Sequence, residues 1–314
     1  MASASSTPVP DIPNGATSTN RSMPSLQSQA REKSGQNSNQ SNQIRQHRYN
    51  KGMPGEFLTS SKNPNIQLVR SLLEQSKARR KHNAFVAEGA RLLEDGLASA
   101  VPLRFILYKT SLTPRAKTLL EQINPGQTVF EVEDRLFDSL SDTESSQGIL
   151  GVFNIPEPSQ PARPGFVVIL DQLRDPGNLG AILRSAEAAG AQAICLPPGT
   201  TDAWAPKVVR SGMGAHFRLP LLHWPWEAIT AYVEGLTVFH ADMEGDETLW
   251  QADFRGRTAL LIGGEAEGIS PEGHLLATHS VRIPMAGKTE SLNAAVSASV
   301  LMFEVLRQRS QEGL

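Results

Sequence analysis

Three loops in this 314-residue chain bring together polar side chains and glycines of the kinds that bind ligands or move protons. The first runs from Asp171 to Arg184 and contains Asp175-Pro176-Gly177-Asn178-Leu179-Gly180. Pro176-Gly177 turns the chain, Asn178 is placed to cap the helix that follows, and Gly180 permits another backbone to approach closely. Arg184 falls about one and a half turns into that helix, away from the edge that carries the cap. In the second loop an apolar stretch ends in Gly263-Gly264, where a flat ligand could lie on exposed backbone amides. Glu265 is the first side chain able to reach polar groups there. The third loop leads from Ile283-Pro284-Met285 to Ser291-Leu292-Asn293-Ala294. Ser291 fits a helix N-cap, and Asn293 would then lie in the first turn, where it is a poor helix former. Taken singly, each loop also fits an ordinary strand–turn–helix junction. The glycines of the first do not follow the dinucleotide-binding spacing.

The elements that must position these loops are legible as alternating apolar runs. Phe166–Leu170 is a continuous apolar run of strand length, Ala193–Leu196, Thr237–Ala241 and Thr258–Ile262 read as further strands, and Val281–Pro284 as a shorter one. Buried strands alternating with helices predict an α/β fold with a parallel sheet covered on both faces. A helix is predicted from about Leu179 to Ala189, stopped by Gly190, and a long terminal helix from Ser291 to about Arg309. Ahead of this lies a smaller α/β pattern. Ile66, Val69, Leu72 and Leu73 recur at helical spacing, with Asn63 or Asn65 as the cap. Strand-like runs follow at Ala84–Ala87, Phe105–Tyr108, Thr128–Val132 and Gln147–Phe153, with helices between them. Pro156, Pro158, Pro161 and Pro164 mark a stiff linker. Residues 1–62 are rich in Ser, Asn, Gln and Pro and lack aliphatic periodicity, which predicts a disordered tail. The organisation read from the chain is therefore a tail (1–62), a small α/β domain (63–155), a linker (156–165) and a larger α/β domain (166–314).

Composition narrows the function classes. Net charge is −2, which does not by itself favour nucleic acid, so distribution decides more than the total. Lys77, Arg79, Arg80 and Lys81 form one basic cluster, read either as a solvated helix face or as an RNA contact. A single cysteine, Cys195, rules out an internal disulfide and points to a reducing compartment. No histidine pair has metal-ligand spacing, and no apolar run has membrane-spanning length, so neither a metal nor a membrane partner is expected. The Ser-rich, acid-poor start leaves an organelle transit peptide open beside a cytoplasmic location with an RNA-contacting tail.

In order and spacing, the three loops resemble the signature motifs of the SpoU (TrmH-like) RNA ribose methyltransferases of the SPOUT superfamily. They read D-x-x-x-D-P-x-N-x-G-A-I-x-R, then G-x-E-x-x-G, then I-P-M-x-G-x-x-x-S-L-N. Lys207 to Ala215 resembles the family's K-x-x-R-x-S-x-G-A segment, with Gly212 as a departure. More weakly, Arg80-Lys81, Phe85, Glu88 and Gly89 resemble the family's N-terminal substrate-binding domain. The resemblance implies a deep trefoil knot at the C-terminal end of the catalytic domain, although chain topology rules alone predict an unknotted sheet. It further implies S-adenosyl-L-methionine bound by Gly263, Gly264, Ile283, Met285 and Leu292. A homodimer is implied, with the first motif completing the site. Asn178, Arg184, Glu265, Ser291 and Asn293 are the implied catalytic set. An arginine at the position of Arg184 is proposed in the family as the base for the ribose 2′-hydroxyl. A guanidinium pKa above about 12 makes phosphate binding and alkoxide stabilisation the other reading. The implied substrate is structured RNA, ribosomal in preference to transfer RNA. The competing reading is a non-catalytic RNA-binding protein that retains the fold.

Overall fold

The computed structural model describes residues 56–141, 146–265, 268–289 and 291–311. The sequence-based expectation for residues 1–55 lies outside the described residues. The chain enters on a two-residue strand, β1 (Phe57–Leu58), whose Leu58 is buried. Residues 57 and 58 were expected to belong to the tail. They instead pair in parallel with Glu131 and Val132, because Leu58 completes an apolar layer beneath the neighbouring helix.

The first sheet combines β1 with β2 (Ala84–Glu88), β3 (Leu103–Lys109), β4 (Val129–Val132) and β5 (Ile149–Asn154), in the order β1-β4-β3-β5-β2. It is mixed: β5 runs antiparallel to both β2 and β3, while β3 and β4 are parallel. The helices accompanying it are α1 (Pro64–Glu74), α2 (Ser76–His82), α3 (Ala90–Ala98), α4 (Pro114–Gln122) and α5 (Asp134–Asp138). Strand periodicity sends alternate side chains to opposite faces. Phe85, Ile106 and Ile149 therefore join Leu93 and Leu120 of α3 and α4 on one side. Val86, Leu107 and Leu150 meet Ile66, Val69 and Leu72 of α1 on the other.

The second sheet is wholly parallel and contains β6 (Phe166–Leu170), β7 (Ala193–Cys195), β8 (Leu221–Leu222), β9 (Thr237–Ala241), β10 (Glu247–Thr248), β11 (Thr258–Ile262) and β12 (His279–Arg282). Its order is β10-β12-β9-β11-β6-β7-β8. The helices are α6 (Pro176–Ala188), α7 (Pro206–Ser211), α8 (Trp226–Tyr232), α9 (Pro271–Leu276) and α10 (Ala294–Ser310). Phe166, Val168 and Leu170 pack against Ile182 and Leu183 of α6 and Leu301 and Met302 of α10. Val167 and Ile169 pack on the opposite face with Ile229 of α8. Both faces are covered, as expected for strands without polar alternation.

Helix starts follow local chemistry. Pro64, Pro114, Pro176 and Pro271 sit in first turns behind Asn63, Thr113, Asp175 and Ser270, whose side chains each accept a first-turn amide. Two caps differ from expectation. Asp175, not Asn178, caps α6, because Asp175 lies immediately before Pro176 and its Oδ1 accepts the Asn178 amide at 2.7 Å. Asn293, not Ser291, caps α10, accepting the amides of Ala295 and Val296. The terminal helix therefore starts three residues later than predicted, which frees the Asn178 and Ser291 side chains from capping.

The two sheets share one apolar core around an aromatic cluster. Phe85 lies 4.7 Å from Trp204 and 5.6 Å from Phe217 by ring centroids, and Phe153 lies 5.0 Å from Phe217. Arg79 reinforces this junction. Its Nη2 pairs with Asp202 at 2.7 Å and its Nη1 donates to the Leu72 carbonyl at 2.5 Å, leaving the residue 5% exposed. Gly212, the departure from the familiar segment, makes room for the neighbouring ring. A Cβ there would fall 2.6 Å from the His216 imidazole, whose Nε2 donates to the Ala203 carbonyl and whose pKa burial pushes down to about 4.

Candidate active site

In open α/β sheets ligands bind outside the carboxyl ends of the strands. The ends of β12, β9 and β11, three neighbours in the second sheet, open here into a cleft of about 680 Å³. Gly263, Gly264, Ile283, Met285 and Leu292 all line it, together with Glu265, Ser291 and Asn293. Asn178 and Arg184 do not.

Asn178 is nevertheless tied to the cleft. Its side-chain amide donates to Glu265 Oε1, and its carbonyl oxygen accepts from Asn293 Nδ2 at 3.0 Å. One residue from each loop is thereby joined in the chain Asn293–Asn178–Glu265. Each amide uses donor and acceptor at once, so all three side chains are held in fixed orientation. Ser291 lies beside this network as an exposed residue of the lining.

Arg184 is exposed on α6, with no hydrogen bond or ion pair to a described residue. The geometry does not bring it to the network of its own chain. Lys77, Arg80 and Lys81 are exposed along α2. Arg79 corrects the expectation for that cluster: buried and paired with Asp202, it holds the junction of the sheets and cannot face RNA.

The two glycines of the second loop, which line the cleft, also meet a packing constraint. A Cβ on Gly264 would fall 2.3 Å from the Gln172 carbonyl oxygen, and one on Gly263 would fall 2.5 Å from the Gly268 carbonyl carbon. Both are required so that the loop can lie against the first loop and against itself. Gln172 is itself held in the left-handed region at φ 55°, a conformation costly for a side chain with a Cβ and common where loops build sites. Asp171, fully buried, fixes the same region: its Oδ2 accepts the Ser270 amide at 2.6 Å.

Sequence reasoning missed the residues on the floor of the cleft. Asp242 follows β9 directly and lines the cleft with His240 and His274. Its Oδ1 accepts the Glu244 amide at 2.9 Å, and its Oδ2 accepts from His240 Nε2 at 3.1 Å. The Glu244 amide, and then His240, hold its carboxyl below the usual carboxylate range against the opposing effect of burial. The signal available was the His-x-Asp spacing at a strand end, which no familiar motif marked.

The cleft suits S-adenosylmethionine on its own chemistry. It offers an apolar wall from Ile283, Met285 and Leu292, and carboxylates at Asp242 and Glu265 for polar and cationic groups. Among the described residues no cluster of His, Cys, Asp and Glu could hold a metal ion. No helix of the described residues is long and apolar enough to cross a membrane.

A parallel α/β sheet whose strand ends form a nucleoside-sized cleft beside an Asn–Asn–Glu network defines an α/β protein with a polar ligand site at its strand ends. Similarity to known proteins makes the class specific. Residues 165–303 match the SpoU rRNA Methylase family, and residues 63–151 match the MRM3-like substrate binding domain. The chain is 32% identical over 270 residues to the 23S rRNA (uridine(2479)-2′-O)-methyltransferase of Streptomyces viridochromogenes, covering 82% of this chain and 94% of that one. It is 32% identical over 323 residues to the human mitochondrial rRNA methyltransferase 3, covering 83% and 74%. The crystal structure of the SpoU methyltransferase AviRb from Streptomyces viridochromogenes with the cofactor AdoMet superposes with a TM-score of 0.72 at 31% identity, covering 79% and 99%. This chain belongs to the SpoU family of RNA methyltransferases.

Proposed function

We propose that the protein transfers a methyl group from S-adenosylmethionine to a ribose 2′-hydroxyl of ribosomal RNA. The observation that carries this reading is the Asn293–Asn178–Glu265 network at the edge of the cleft. The cofactor supplies an electrophilic methyl carried on a sulfonium. Gly263, Gly264, Ile283, Met285 and Leu292, which line the cleft, would hold it. The acceptor ribose is oriented by Asn178, Ser291 and Asn293, while Glu265 fixes Asn178. Transfer would form the 2′-O–CH3 bond as the S–CH3 bond breaks, leaving the thioether and releasing the hydroxyl proton to solvent, while Arg184 would stabilise the developing negative charge and the adjacent phosphate. Ribosomal RNA is favoured because the relatives named above act on it and because residues 63–151 match a substrate-binding domain.

We further assign residues 63–155 as the RNA-binding domain, 156–165 as the linker and 166–314 as the methyltransferase domain. Lys77, Arg80 and Lys81 form the RNA contact. The trefoil knot of the family is proposed for the C-terminal end, supported by the return of α10 onto α6 and β11. A homodimer is proposed because Val296, Val300 and Phe303 are exposed at 48%, 37% and 47% on one face of α10. The isolation of Arg184 from its own cleft supports a site completed across that interface. The buried Cys195, its thiol pushed up to about 12 by burial, suits a reducing cytoplasm. The relatives named mitochondrial make an organelle the other outcome of a localisation experiment.

Incubating the protein with ribosomal RNA and methyl-labelled S-adenosylmethionine tests the activity. Label should enter RNA, and alkali should then fail to cleave at one ribose. Binding of RNA without transfer of label would establish the non-catalytic reading instead.

A further inference from the structure

Strand β9 lies between β11 and β12 in the second sheet. The segments that follow its two neighbours, Gly263-Gly264 and Ile283–Met285, are those assigned above to the cofactor. The residue that follows β9 itself is Asp242, so its carboxylate rises from the middle of the floor between those two segments. The side chain is 42% exposed, while its partner His240 is 12% exposed. Both oxygens are anchored, Oδ1 by the Glu244 amide and Oδ2 by His240 Nε2. The Asp242 amide donates to the Val281 carbonyl at 3.0 Å, which fixes the backbone beneath it. His240 is in turn backed by His274, with ring centroids 5.7 Å apart. A carboxylate offers about four lone-pair sites, and two are used here. What remains is a pair of aimed acceptors, and no donor among the described residues is bonded to them.

From this placement we propose that Asp242 accepts the 2′- and 3′-hydroxyls of the adenosyl ribose of S-adenosylmethionine, with His240 as the positioning residue that aims it. A vicinal diol presents two donors at the spacing of the two carboxylate oxygens. A carboxylate at a strand end holds ribose hydroxyls in the same way in dinucleotide-binding folds. The other described carboxylate of the cleft, Glu265, is already engaged by Asn178 and faces the acceptor side. The assignment rests on the cofactor occupying this cleft and adds the group that selects a ribonucleoside over a deoxynucleoside.

The test is a thermodynamic cycle by isothermal titration calorimetry on full-length protein. The ligands are S-adenosylhomocysteine, 5′-methylthioadenosine and 5′-methylthio-2′,3′-dideoxyadenosine, titrated into wild type and Asp242→Ala. Wild type should bind the dideoxy nucleoside about tenfold or more weakly than 5′-methylthioadenosine, because a site built for hydroxyls leaves its acceptor unpaired without them. In Asp242→Ala that penalty should vanish, and both hydroxylated ligands should weaken by the same factor. If Asp242→Ala melts early, Asp242→Asn, which retains an acceptor for the Glu244 amide, should reduce the penalty without removing it. Equal wild-type binding of the two nucleosides would overturn the proposal. So would an Asp242→Ala defect confined to S-adenosylhomocysteine, which would assign the carboxylate to the α-ammonium. Failure of wild type to bind S-adenosylhomocysteine would overturn the cleft assignment as well.

Discussion

Arg184 and Arg79 show how little residue type says about role. Both are arginines in stretches that read as functional, yet one is exposed without a partner among the described residues and the other is buried in an ion pair. Their substitutions should therefore separate. Arg184→Ala should lower turnover by about 10²–10³, the usual cost of removing one donor to developing charge. Its affinity for S-adenosylmethionine should stay unchanged, since Arg184 does not line the cleft. Calorimetry beside single-turnover kinetics decides this, and lost cofactor binding would return Arg184 to the cofactor. Arg79→Ala should instead cost stability, about 3 kcal/mol at the low end for a broken buried pair, because Asp202 is still 21% exposed. Lys81→Ala should leave the melting temperature alone and reduce the slope of log RNA affinity against log salt by about 0.7–0.9. Denaturation curves and salt titrations of the two variants distinguish a junction residue from an RNA contact.

At the scale of elements, the second loop and the terminal helix are under different constraints. The Gly263-Gly264 loop is pressed against Gln172, whose own backbone is left-handed, so its shape depends on close approach. Gly264→Val places a branched side chain where the Gln172 carbonyl stands. Cofactor affinity should fall more than tenfold through displacement of the loop, while the far-ultraviolet circular dichroism of the sheets is retained. Unchanged affinity would mean that the cofactor does not depend on this loop. The terminal helix presents the opposite case, with an apolar stripe that no described residue covers. Phe303 is 47% exposed, and Phe303→Asp would bury a charge in any interface formed there. Sedimentation analysis should show the variant as monomer and the parent as dimer. A dimer that survives the substitution would move the interface elsewhere.

For the whole molecule, the joint between the two sheets and the first strand, β1, set what can be removed. One apolar core runs through both sheets by way of Phe85, Trp204 and Phe217. The stiff proline segment 156–165 therefore joins two layers that are packed together, not two bodies held only by a tether. Removal of residues 1–55 should leave the melting temperature within about a degree of the parent, since no apolar pattern there contributes to a core. Removal of residues 1–62 also deletes β1 and the buried Leu58, and should cost about 2 kcal/mol more. Equal stability of the two truncations would show that β1 adds nothing to the sheet.

The sequence by itself determined the parallel sheet, the three loops and eight of the residues that line the cleft. Continuous apolar runs such as Phe166–Leu170 can be satisfied only by burial on both faces, and glycines at strand ends leave few alternatives. Which side chains meet was decided by the tertiary structure. Asn178 and Asn293 both read as local helix residues, and they became partners because Asp175 and Asn293 took the caps. A cap depends on the φ and ψ of one residue, which neighbours in space adjust, so a pattern of residue types locates it only to within a few positions. Arg79 could not be separated from Lys77, Arg80 and Lys81 in the sequence, because its partner Asp202 is 123 residues away. Asp242 was invisible for the same reason. Its place at the centre of the floor exists only because β9 pairs between β11 and β12, strands that follow it in the chain and flank it in the sheet.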